Sequence, residues 1–121
     1  MTKKPRILVV DDDLELLSTI TRYLELKGVD VVGRGTGEEA KDLMTEENFD
    51  LIILDIVLPG ASGIEILKSI KKTNPDQKVI VMTAMLSIEN TIAALREGAV
   101  EYLLKPFSSM EYIWTVIEDY L

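Results

Sequence analysis

Neither cysteine nor histidine occurs anywhere in the 121 residues. Without cysteine there is no disulfide framework and no thiolate metal site, and a reducing cytoplasm fits. Without histidine the chain cannot run Ser-His or Cys-His catalysis, and it cannot itself carry a phosphohistidine. There is no low-complexity tract and no long Pro/Gly/Ser linker, so nothing predicts disorder. No apolar run approaches the roughly 18 residues of a membrane span. The basic start MTKKPR is followed by too few apolar residues for a signal peptide, so the expectation is a cytoplasmic protein without membrane contact. Positive charge is also short. With 13 basic against 21 acidic residues the net charge is −8, which argues against this domain gripping nucleic acid by itself.

The 121 residues, 47% hydrophobic and 28% charged, suit one ordinary domain over 1–121 with a real core. Apolar runs recur at Ile7–Val10, Val29–Val32, Leu51–Leu54, Val79–Met82 and Val100–Leu104. Between them lie apolar residues at helical spacing: Leu17, Ile20 and Leu24; Ala40, Leu43 and Met44; Ile64, Leu67 and Ile70; Ile88, Ile92 and Leu95; then Met110, Ile113, Ile117 and Leu121. Thr36–Glu39, Ser62–Glu65 and Ser108–Glu111 have the spacing of capping boxes. Gly28 and Gly98 stand where helix C-termini favour a left-handed residue. The order is βα repeated five times, which predicts an α/β doubly wound parallel sheet flanked by five helices. The first, third and fourth runs are apolar throughout, as central strands should be, whereas Asp30 and Glu101 suit edges. The order 2-1-3-4-5 accommodates this.

In such a sheet ligands bind beyond the carboxyl ends of the strands. The first strand ends in Asp11-Asp12-Asp13, the third in Asp55, the fourth in Thr83-Ala84 and the fifth in Lys105-Pro106. The second ends in Gly33-Arg34-Gly35, with no obvious reactive group. Neighbouring strands lie about 4.8 Å apart, so Asp55 would face the Asp11/Asp12 pair. Carboxylates about 4 Å apart repel by roughly 4 kcal/mol at a surface-like dielectric. Such a cluster needs protons or a cation, and an all-oxygen donor set points to Mg²⁺ or a similar ion. Asp13 fits better as the cap of the first helix. Gly33-Arg-Gly-Thr-Gly37 evokes a dinucleotide loop but has Glu38 where a third glycine is required, so it reads as a turn.

The motifs VVDDD at 9–13, DIVLPGASG at 55–63, TA at 83–84 and KPF at 105–107 together closely resemble the receiver domain of two-component response regulators, the CheY-like, flavodoxin-like family. The resemblance covers essentially the whole chain. It implies that Asp55 is the phosphoacceptor, attacking a phosphohistidine on a sensor histidine kinase or phosphotransfer protein. It implies Mg²⁺ or Mn²⁺ held by Asp11, Asp12, Asp55 and the backbone carbonyl of Val57. Thr83 and Lys105 would contact the phosphoryl group, with a cis peptide between Lys105 and Pro106. Thr83 and Tyr102 would form the switch, reshaping the face of the fourth helix, fifth strand and fifth helix for an output domain or target protein. Tyr112 and Trp114 are candidates for that face, Trp114 equally well for the core. A homodimer formed on phosphorylation is a further expectation. Val57 and Met85, both apolar, offer nothing to position an attacking water, which implies slow self-dephosphorylation. The chain would thus not be a conventional enzyme.

Three other readings compete. An Asp-nucleophile phosphatase needs D-x-D, and position 57 is valine. A degenerate receiver would not keep Asp55, Thr83, Lys105 and the acidic pair intact. A flavin-binding protein of the same fold would need a phosphate loop after the first strand, where the aspartates stand.

Overall fold

The structure, a computed structural model, describes residues 4–58, 62–84 and 88–121. Strands β1 (Arg6–Val10), β2 (Asp30–Arg34), β3 (Leu51–Asp55), β4 (Val79–Thr83) and β5 (Glu101–Leu104) alternate with helices α1 (Leu14–Leu26), α2 (Gly37–Met44), α3 (Gly63–Thr73), α4 (Ile88–Arg96) and α5 (Met110–Glu118). All pairings are parallel and the order is β2-β1-β3-β4-β5. Every residue of β3 and β4 is buried, because helices cover both faces. The edges β2 and β5 start with Asp30 and Glu101, as their polar character predicted.

Alternate residues of each strand feed two cores. Leu8, Val10, Ile52, Leu54 and Val81 meet Ala40, Leu67 and Ile70 on one face. Ile7, Val9, Ile53, Ile80, Met82 and Leu103 meet Leu17, Ile20, Ile113 and Ile117 on the other. Trp114 is half-buried against this second core, whereas Tyr112 is exposed. The apolar spacing of Ile88, Ile92 and Leu95 does mark a helix, but the stripe is 75%, 44% and 51% exposed, and α4 buries Ala94 instead.

The helix caps follow the sequence with two corrections. Asp13 caps α1, its carboxylate accepting the Leu16 N–H, and Thr36 caps α2 by accepting the Glu39 N–H. Ser62 caps α3 through the Ile64 N–H rather than that of Glu65. For α5 the cap is Ser109, which accepts the Tyr112 N–H, and not Ser108. Gly28 and Gly98 take positive φ, +88° and +95°, ending α1 and α4.

The tail of α5 is held against the sheet by Tyr120. Its hydroxyl donates to the Glu101 carboxylate at 2.6 Å and lies 3.1 Å from the Val100 carbonyl, while Lys78 Nζ donates to its backbone carbonyl. The carboxylate beside it raises the phenol above its ordinary ionisation range. A raised folded value means that the contribution is fully present below the unfolded phenol value of about 10 and is lost as pH climbs through the folded one. Tyr120→Phe is therefore expected to lower Tm by about 3 °C at pH 8, with the gap to wild type closing above pH of about 10. Paired melts across that range check this, and a gap independent of pH would contradict it.

Candidate functional site

Asp11 follows the last residue of β1 and is fully buried. One of its oxygens accepts the Asp13 N–H at 2.8 Å. Asp55 closes β3, and one of its oxygens accepts the Val57 N–H, also at 2.8 Å. Each carboxylate thus turns back on the amide two residues on, a local bond that aspartate makes readily at the start of a loop. The turn leaves the second oxygen of each pointing at the rim. Lys105 Nζ reaches both of these oxygens, Asp11 Oδ2 at 2.6 Å and Asp55 Oδ2 at 2.7 Å.

Lys105 arrives there because β5 is tied to β4 up to its end. Its amide donates to the Thr83 carbonyl at 2.8 Å, and the Lys105–Pro106 peptide is cis, as the resemblance implied. Thr83 is buried at the end of β4, in register with Leu104. Tyr102 is half-buried against the core on the α2–α3–α4 side. Asp12 is exposed at the mouth, and one oxygen from each of Asp11, Asp12 and Asp55 lies within 4.8 Å of the others.

The charges do not balance. Three carboxylates face one ammonium. Burial pushes the Asp55 carboxyl above its ordinary range, the hydrogen bonds from Lys105 and the Val57 amide pull it back only in part, and the charge of Asp11 pushes it further up. Burial alone would lower Lys105, but its bonds to Asp11 and Asp55 outweigh that and its ionisation is raised. The ammonium is therefore held charged between two carboxylates, while Asp12 stands exposed beside them.

Among the sequence candidates, the structure brings together Asp11, Asp12, Asp55 and Lys105, with Thr83 on the adjacent strand end. Val57 lies beside Asp55 with an exposed side chain. Met85, and Pro59 and Gly60 of the DIVLPGASG motif, lie outside the described residues. Two features escaped the sequence reading. The Val57 amide orients Asp55, and the signal for it was present, since an aspartate opening a loop favours the amide at i+2. Gly63, the last residue of the DIVLPGASG motif, is a point of close backbone approach. Its amide donates to the Ile56 carbonyl at 3.0 Å, which packs the start of α3 against the residue after Asp55. A cleft of about 470 Å³ between the ends of α2 and α3, floored by Phe49 and Ile70, lies at the opposite end of the strands and belongs to none of this chemistry.

The family model described as the response regulator receiver domain matches residues 7–117. The transcriptional regulatory protein PrrA of Mycobacterium tuberculosis is 38% identical over 109 residues, 90% of this chain and 47% of that protein. This chain therefore spans about half the length of such relatives. A CheY-like response regulator receiver domain protein from Methanospirillum hungatei superposes with a TM-score of 0.91 at 33% identity, over 98% of this chain and 94% of that one. The response regulator TrrA of Thermotoga maritima, solved in complex with Mg²⁺-BeF, superposes with a TM-score of 0.86 at 32% identity, over 97% of this chain and 99% of that one.

Proposed function

Because this chain belongs to the response regulator receiver domain family, we propose that residues 1–121 form one receiver unit that accepts a phosphoryl group on Asp55 and changes shape in response. The observation that carries this reading is the single Lys105 ammonium bonded to both Asp11 and Asp55 at the carboxyl ends of the strands. A carboxylate held by an amide on one oxygen and by a cation on the other is oriented as a nucleophile, and the Lys105 and Val57 bonds favour its ionised form against the burial that opposes it.

In the step proposed, an Asp55 oxygen bonds to the phosphorus of a phosphohistidine supplied by a sensor kinase or phosphotransfer protein. The P–N bond breaks and its electron pair returns to the imidazole nitrogen. The reaction needs positioning and neutralisation of oxygen charge rather than a proton relay, which suits a site without histidine. Lys105 then leaves Asp55 Oδ2 for the phosphoryl oxygens, and the Thr83 hydroxyl donates to them from the next strand. The acidic cluster fits a hard divalent ion, three carboxylates with ligand atoms within 4.8 Å. Asp11, Asp12, Asp55 and the Val57 carbonyl would hold Mg²⁺ or Mn²⁺, which when bound supplies positive charge to the phosphoryl oxygens.

Movement of Thr83 toward the new oxygens would free space for Tyr102 to turn inward, altering the face of α4, β5 and α5. The exposed Ile88, Ile92, Leu95, Leu104 and Tyr112 give that face the apolar surface a target protein, an output segment or a second copy would cover. The names of the relatives and their greater length support an output in transcription control. No helix among the described residues is long and apolar enough to cross a membrane, and a cytoplasmic location is part of the proposal.

The test is chemical. Incubation with Mg²⁺ and acetyl phosphate is expected to add the mass of one phosphoryl group, stable to acid and labile to base. The adduct should vanish in Asp55→Ala and when Mg²⁺ is chelated. Absence of the adduct in wild type, or its survival in Asp55→Ala, would sink the reading.

A further inference from the structure

The strand order lays out a row of side chains along the carboxyl ends of the sheet. Arg34 ends β2, Asp11 and Asp12 follow β1, Asp55 ends β3, Thr83 ends β4 and Lys105 follows β5. Among the described residues at those ends, only the two flanking ones, Arg34 and Lys105, are cationic. Lys105 is engaged with Asp11 and Asp55. Arg34 is in no ion pair with a carboxylate among the described residues.

Its placement is fixed by backbone. Arg34 is in register with Val10, and its carbonyl accepts the Asp11 amide at 3.1 Å. The side chain is half-exposed, and its guanidinium donates one hydrogen bond, to the Gly33 carbonyl at 2.7 Å. No carboxylate among the described residues lies within ion-pair distance of it. Its positive charge is therefore not offset by a direct carboxylate partner among the described residues, and a charge acts on an anionic donor without touching it. The surroundings explain why such a group matters. Asp12, Asp13, Glu38 and Glu39 are all exposed on the neighbouring segments. An anionic phosphodonor meets repulsion on this side unless a cation offsets it.

Resting on the phosphoacceptor reading above, we propose that Arg34 is a positioning residue, which draws the phosphoryl oxygens of an anionic donor toward Asp55 from the flank opposite Lys105. The donor class is an acyl phosphate or a phosphohistidine. With acetyl phosphate, an Asp55 oxygen bonds to phosphorus while the P–O bond to the acetyl group breaks, and acetate leaves with the electron pair. Arg34 takes no part in the bond changes. It acts on the encounter, across two strand spacings or about 10 Å.

At that range the effect is Coulombic and severalfold, which sets what the experiment reads. At low salt, Arg34→Gln is expected to react with acetyl phosphate about threefold more slowly at sub-saturating donor, and Arg34→Glu about tenfold. The rate at saturating donor should hardly move, and Arg34→Lys should stay near wild type. At about 1 M salt, where screening acts over about 3 Å, wild type and Arg34→Gln should converge. Mg²⁺ binding must shift the other way, about twofold tighter in Arg34→Gln, since a repelling charge has gone. A rate loss that persists in high salt, or comes with weaker Mg²⁺ binding, indicates a disturbed Asp11 backbone and overturns the inference. So does an unchanged rate in both Arg34→Gln and Arg34→Glu while wild type still forms its adduct. A wild type that forms no adduct at all overturns the reading beneath it.

Discussion

Replacing Lys105 by methionine is expected to cost the metal-free protein about 3 kcal/mol of stability at neutral pH, and yet to tighten its hold on Mg²⁺. The two results share one cause. The Lys105 side chain is 15% exposed and its partners Asp11 and Asp55 are 0% and 6% exposed, so the three charges are largely out of water. Removing one partner of a buried ion pair leaves the other uncompensated, which outweighs anything gained by packing the methionine stem. Here two carboxylates are left facing each other. The loss should shrink on acidification, because burial already raises Asp55 above its ordinary range and the substitution removes the Lys105 bond that holds it down. A raised folded value favours the folded state at low pH, so the sign is the same from either direction. A divalent ion at the same oxygens no longer competes with the ammonium, so its affinity should rise about tenfold, and saturating Mg²⁺ should restore much of the lost stability. Phosphorylation by acetyl phosphate should nonetheless fall about 100-fold, since the preorganised donor to the transferring oxygens has gone. Urea unfolding with chelator and with Mg²⁺, beside a Mg²⁺ titration, separates these effects. An unchanged unfolding midpoint in chelator would show that the paired geometry contributes no net stability.

How much of this was legible in the sequence depends on whether the signal was local. The central strands were, because Leu51–Leu54 and Val79–Met82 are apolar on both faces and only a strand covered twice needs that. Asp30 and Glu101 marked the edges for the converse reason. Once the order was in hand, convergence of Asp11, Asp12 and Asp55 followed, since adjacent parallel strands end together. What failed was whatever depended on which partner lies opposite. Ile88, Ile92 and Leu95 recur as a core stripe would, but periodicity does not say whether anything covers it, and α4 packs on Ala94. Ser108 and Ser109 are both good caps. The choice of Ser109 starts α5 at Met110, placing Ile113 and Ile117 in the core. The sharing of Lys105 between two carboxylates spans 94 and 50 residues of sequence, beyond any local pattern. The place of Arg34 in a row with Asp11, Asp55 and Lys105 likewise exists only in the folded sheet.

Gly63→Ala is expected to be the most damaging single-methyl change at any described glycine, costing about 3 kcal/mol or more and disabling Asp55 with it. Gly63 has no positive φ, so the reason is steric and not conformational. A Cβ there would overlap Ile56 Cα and stand 2.7 Å from both the Asp55 carbonyl oxygen and the Ile56 carbonyl carbon. These are backbone atoms of the segment that leaves β3, and they have no rotamer to escape into. Gly37 makes the useful contrast. A methyl group there would overlap Ile66 Cδ1 and lie 2.9 Å from its Cγ1, but those atoms belong to a side chain that can turn, so Gly37→Ala should cost only about 1–2 kcal/mol. At Gly28 nothing lies within 4 Å, and the cost is the strain of φ +88° alone, about 1 kcal/mol. The order Gly63 worst, then Gly37, then Gly28 is testable by urea unfolding of the three variants. For Gly63 the consequence reaches the site. Relief requires α3 to move off Ile56, which breaks the Gly63 amide bond to the Ile56 carbonyl and loosens the turn in which the Val57 amide holds Asp55. Gly63→Ala that still folds should therefore form the Asp55 adduct at least tenfold more slowly. A variant with near-wild-type stability and rate would show that the β3–α3 junction yields far more readily than its backbone contacts imply.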